Sequence, residues 1–234
     1  MVTSVHLADV QPSTALRLFR SHLSPGDVPG LRYGIAVTAA PLGAHLLPTP
    51  RPGRAGLIAA WDDDTALDGF LTSHPMAEPL AGGYHVRLEP IRIVGARPEL
   101  GELPLTATRN GGDVPRATNS IGSNREHGPA AVLTLGRLRL LRGAAFLRAS
   151  ARAERDVLRS PGLRLATGLA RPPRIVATFS LWNDIAAMRA YVEQNDGGHR
   201  HAMTAHTARP FHHQSAFIRF RPYDETGTWH PPGT

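Results

Sequence analysis

Apolar and polar positions along the chain switch between two periods, and the switches divide it into two similar sets of elements. A period of two marks a strand with one buried face; apolar residues three and four apart mark a helix face. SVHLADV (4–10) reads as a strand and PSTALRLFRSHL (12–23) as a helix with apolar residues at helical spacing. Strands near 31–39 and 55–61 follow, then a helix from about Asp63 and a strand near 84–94. The second set runs AAVLTLGRLRL (130–140) as strand, RGAAFLRASARAERDVLRS (142–160) as helix, and strands near 163–169 and 174–182. A helix from Asp184 and a strand over 215–221 close it. Asp63 and Asn183 or Asp184 can cap their helices, offering a side-chain oxygen to the free amides of the first turn.

The two sets also share words. PGLR occurs at Pro29–Arg32 and again at Pro161–Arg164, each time ahead of a strand. Each set has an apolar run ending in Trp, AGLIAAW to Trp61 and RIVATFSLW to Trp182, followed by a polar helix start. The ninth residue after each Trp is aromatic, Phe70 and Tyr191. Such order argues for an internal duplication. Each unit reads βαββαβ, the ferredoxin-like arrangement. The expected fold is therefore α+β, two tandem ferredoxin-like units whose sheets pair into an α+β barrel. The expected division is a structural unit at 1–95, a linker at 96–128 rich in Gly, Pro, Asn and Thr, and a site-carrying unit at 129–234.

Composition narrows the chemistry. The apolar fraction is 41% and the charged fraction 19%, as in a globular protein. With no Cys, disulfides, zinc–thiolate sites, iron–sulfur clusters and thiolate-ligated haem are excluded. No apolar run is long enough for a membrane span, and the N-terminal stretch lacks the pattern of a secretory signal, so a cytoplasmic protein is expected. The net charge is +7, and every basic residue is Arg. These arginines look dispersed along the sequence, which argues against a nucleic-acid partner. GxGxxG, P-loop, HExxH and GxSxG motifs are all missing from the sequence.

The segment ATFSLWNDIAAMRAYVEQNDGGHRHAM…FHHQSAFIRFRPY resembles the C-terminal signature of the spheroidene monooxygenase family. Ala177–Trp182, Met188, Tyr191, His199, Phe217, Phe220, Arg221 and Pro222 carry the pattern. That family is similar to haem-binding dimeric α+β-barrel proteins, which include chlorite dismutases and aldoxime dehydratases. The resemblance implies a haem b enzyme, a monooxygenase using dioxygen or peroxide on an apolar small molecule such as a carotenoid or secondary metabolite. An aldoxime-dehydratase-like activity on an N–O substrate, or a cofactor-free ligand-binding barrel, are the alternatives. A homodimer fits the same superfamily.

Three histidines sit in NDGGHRHAMTAH (195–206). Asp196 can cap a helix starting near His199, which puts His199, Met203 and His206 on one face. His201 lies about 200° around from His199, so the three do not converge as zinc would require. A single imidazole on iron needs only one, and His199 stands at the position of the family's His; His206 is the next choice. Met203, Trp182, Phe179 and Tyr191 are candidate walls for a planar apolar cofactor. Arg164 and Arg174 are candidates for its propionates. His212 and His213, adjacent on a strand, face opposite sides.

Overall fold

The computed structural model describes residues 1–42, 52–95, 128–193 and 211–230. Its first half runs β1 (Val2–Asp9), α1 (Pro12–Arg20), β2 (Leu31–Ala40), β3 (Arg54–Trp61), α2 (Asp64–Ser73) and β4 (Tyr84–Gly95). The second half repeats the order: β5 (Ala130–Leu138), α3 (Gly143–Leu158), β6 (Leu163–Arg171), β7 (Ile175–Trp182), α4 (Ile185–Glu193) and β8 (His212–Thr226). Both halves are βαββαβ. Their eight strands close into one barrel in the order β1-β3-β2-β6-β7-β5-β8-β4. Closure gives each described strand a neighbour on both sides.

The halves meet at two antiparallel seams of unequal length. Along β4 and β8, pairing extends from His85 opposite Thr226 to Gly95 opposite Ala216. Along β2 and β6 it covers only Thr38–Ala40 against Gly168–Ala170. β8 is longer than its expected 215–221, spanning 15 residues, because it has a partner on each edge, β5 and β4. Two other elements are shorter than expected. α1 stops at Arg20, where Ser21 turns extended and its N–H and hydroxyl both bond the Arg17 carbonyl. β5 stops at Leu138, and Leu140–Arg142 form a 3-10 turn leading into α3.

Strand alternation sorts the core into two layers. Val5, Leu7, Ile58, Tyr84, Val86, Leu133, Leu135, Phe179, Leu181, Ile218 and Phe220 fill the barrel interior. On the outer face of the first half, Leu57 and Trp61 pack beneath Leu18, Leu67 and Phe70 of α1 and α2. The matching layer of the second half contains Trp182, Ala130, Ile185, Met188 and Val157.

The repeated PGLR has a geometric reason. Gly30 and Gly162 both take positive φ, +70° and +80°. A Cβ on Gly30 would fall 2.4 Å from Ala66 of α2, and one on Gly162 2.6 Å from Ala187 of α4. Each glycine carbonyl also accepts a 2.8 Å hydrogen bond from the residue after the Trp, Asp62 or Asn183. Glycine here lets the entry to the second strand of each unit press against the start of its second helix. The two caps form as expected: Asp63 accepts from Ala66 N and Asp184 from Ala187 N. Among the described residues, no helix is long and apolar enough to cross a membrane.

Candidate functional site

His199, Met203 and His206 lie outside the described residues. The flanks of their segment are placed: α4 ends at Glu193, and the chain re-enters the fold at Phe211 and His212, where β8 starts. Arg139 N–H bonds the Phe211 carbonyl at 2.8 Å and Arg139 Nε the His212 carbonyl at 3.3 Å. This holds the start of β8 beside the end of β5.

Trp182 and Tyr191 come together beneath α3. Their rings stack at 5.6 Å between centroids, Trp182 Nε1 donates to Ser180 Oγ at 3.0 Å, and Tyr191 Oη donates to the Ala153 carbonyl at 3.1 Å. The last bond ties α4 to α3. Burial, with Asp156 and Glu154 nearby, raises the Tyr191 hydroxyl well above its ordinary value, so it stays protonated and donating. Phe179 does not join them. It sits in the barrel interior, on the opposite face of β7 from Trp182. The three aromatics therefore cannot line one pocket.

The two arginines are also apart. Arg164 stands near the start of β6 and pairs with Glu225 at 3.0 Å. Arg174 lies in the β6–β7 turn, its carbonyl accepting from Leu138 N at 2.7 Å. At about 3.3 Å per strand residue they are more than about 20 Å apart, so a single cofactor edge cannot use both. Arg174 shares its barrel end with Phe211 and His212.

His212 is better placed than its sequence context suggested. Its ring meets Phe146 of α3 edge-on at 5.1 Å. A Cβ on Gly136 of β5 would fall 2.5 Å from that ring. Gly136 thus makes the space the imidazole occupies on the outer face. His213, next to it, is exposed.

The first half holds a polar relay that sequence reasoning missed. His6 on β1 and His85 on β4 face each other with Nδ1 to Nδ1 at 2.5 Å. His85 Nε2 lies 3.2 Å from the Ala81 carbonyl, which can only accept, so His85 carries its proton on Nε2. His85 Nδ1 then accepts from His6 Nδ1–H. His6 Nε2 in turn accepts from Ser4 Oγ at 2.9 Å, and Ser4 Oγ accepts from Trp61 Nε1 at 2.9 Å. One direction satisfies every donor. Burial, and then repulsion from the facing His85 ring whenever that ring is charged and from Arg87, lowers the pKa of His6 to about 3, so it is neutral at physiological pH. Beside it Arg87 spans Asp64 and Asp68 of α2 and Asp224 of β8. The corresponding places in the second half, opposite Ser4, His6 and His85 in the repeat, are Val132, Thr134 and Phe217. They contain no imidazole.

No family model matches the chain. Against curated proteins, it is 31% identical over 182 residues to spheroidene monooxygenase of Rubrivivax gelatinosus, covering 77% of this chain. The chain spans 64% of that relative's length. Among solved structures, a candidate monooxygenase of Fusobacterium nucleatum superposes at TM-score 0.41 with 10% identity, covering 97% of this chain and 94% of that one. A heme-degrading enzyme of Listeria monocytogenes gives 0.31 and 11%, covering 92% and 98%. SnoaB, a cofactor-independent oxygenase of Streptomyces nogalater, gives 0.32 and 20%, covering 45% and 98%. Likeness at these scores leaves the chemistry to be argued from the chain itself. By its sequence, the chain is similar over 182 residues to spheroidene monooxygenase, the kind of protein that its C-terminal segment resembles.

Proposed function

We propose that the chain is a haem-dependent monooxygenase that adds oxygen to an apolar small molecule, a carotenoid or a secondary metabolite, in the cytoplasm. The observation that carries this reading is the 31% identity over 182 residues to a spheroidene monooxygenase.

The donor chemistry fits a single-imidazole haem site. The chain has no Cys, and among the described residues no three His, Asp or Glu side chains gather as a metal site. One neutral imidazole suffices for haem iron. His199 is the proposed ligand, with Met203 and His206 four and seven residues further along the sequence. The proposed location is the layer between α3, α4 and the outer face of the second-half sheet. Small side chains line part of that face, Thr134 on β5 and Thr178 and Ser180 on β7. At the places of Thr178, Thr134 and Val132 the first half has Leu57, His6 and Ser4, the last two tied into the histidine relay, which supports a structural role for it.

Haem, when bound, would supply activation of dioxygen or peroxide. The chain's own groups would do the rest. Trp182 and Tyr191 would give the site an apolar wall, whereas Arg174, at the opposite end of β7 from Trp182, is too far away to serve the same cofactor. The test is incubation of the haem-supplied protein and a polyene with peroxide, or with dioxygen and a two-electron reductant that reduces its second oxygen atom to water, with product masses recorded. Gain of one oxygen atom, lost with His199→Ala, is expected. Unchanged substrate in every condition sinks the oxygenase reading.

A further inference from the structure

Four of the arginines gather at one end of the barrel, three of them from one short stretch. At the end of β5 the chain reads RLRLLR, Arg137–Arg142. Leu138 is buried, Leu140 is 51% exposed and Leu141 is fully exposed at 101%. Arg137, Arg139 and Arg142 are exposed around them. The β5–β7 register places Arg137 opposite Ile175, and Leu138 N–H bonds the Arg174 carbonyl, so the β6–β7 turn adds exposed Pro172, Pro173 and Arg174 to the same edge. Among the described residues, none of Arg137, Arg139, Arg142 or Arg174 forms an ion pair with a carboxylate.

A lone exposed leucine is ordinary. Two adjacent ones at a turn, ringed by four arginines without acidic partners, form a particular surface. Leucine side chains are suited to enter hydrocarbon, while long arginine stems keep their charges at the level of lipid phosphates. We propose that this corner, Arg137–Arg142 with Arg174, docks the protein on an anionic membrane surface, Leu140 and Leu141 inserting and the arginines binding phosphate headgroups. Charge complementarity selects an anionic bilayer, and the leucine pair distinguishes it from a nucleic acid, which would make no use of them. The docking does not depend on the proposed oxygenase chemistry, and the two fail separately.

The test is co-sedimentation of the full chain with phosphatidylcholine vesicles, with and without phosphatidylglycerol. Binding is expected to phosphatidylglycerol-containing vesicles and to weaken with salt. Leu140→Ser/Leu141→Ser should lower it by roughly tenfold or more. Arg137→Gln/Arg142→Gln/Arg174→Gln should lower it by roughly fivefold per arginine removed. Both sets of side chains are exposed, so unfolding midpoints should not move. The proposal is overturned if wild type stays in the supernatant with anionic vesicles, or if both variants sediment as wild type does. It is equally overturned if duplex DNA outcompetes the vesicles, or if the leucine variant converts a dimer to a monomer, which would make the corner a self-interface.

Discussion

Acid should loosen the first half of the barrel through His6. The side chain is 1% exposed and sits neutral in the relay from Trp61 to Ala81. Its folded pKa is about 3, against 6.5 for the free group. Between those values the unfolded chain takes up a proton that the folded chain refuses, so stability falls as pH falls. The contribution is fully present above about pH 6.5 and disappears progressively down to about pH 3. From about pH 7 to about pH 5 the loss from this one group is about 2 kcal/mol. That figure is insensitive to the folded value, because pH 5 lies well above it. The assay is urea unfolding across that range for wild type and His6→Gln, which cannot titrate. At neutral pH the variant should be weaker by about 1–3 kcal/mol, since Ser4 and His85 lose their partner. By about pH 5 wild type should have lost about 2 kcal/mol of its advantage. Two curves that stay parallel across the range would refute the buried, neutral assignment of His6.

Gly162→Ala should destabilise the fold by about 1 kcal/mol or more, because φ is +80° and the new Cβ meets Ala187 at 2.6 Å; a midpoint equal to wild type in thermal unfolding would contradict the geometry. Trp182→Ala should cost about 3–5 kcal/mol, removing a fully buried ring together with its stack on Tyr191. Retention of wild-type stability in urea would show that this layer is not packed as described.

What the sequence revealed depended on how local the cause was. The βαββαβ order was legible because each strand and helix carries its own periodicity. PGLR was legible as a repeat, although its reason, a glycine pressed against a helix alanine, needed the fold. Ser4, His6 and His85 were not legible as a relay, since only the β1–β4 register brings residues 79 apart to face each other. In the arginine corner, Arg137, Arg139 and Arg142 are close together in the sequence, and the pairing of β5 with the β6–β7 hairpin adds Arg174. The grouping of Phe179 with Trp182 failed for a simpler reason. An odd separation on a strand sends side chains to opposite faces, and shared aromatic character does not override that parity. Arg164 and Arg174 were candidates by charge and by nearness in sequence to the site, and a whole strand lies between them.

The most direct measurement is a titration of the full chain with ferric haem, followed in the Soret region, for wild type and His199→Ala. The proposed function predicts saturable uptake with a shifted Soret band in wild type and its loss in the variant. A wild-type chain that takes up no haem, or a variant that keeps the wild-type spectrum, would contradict it.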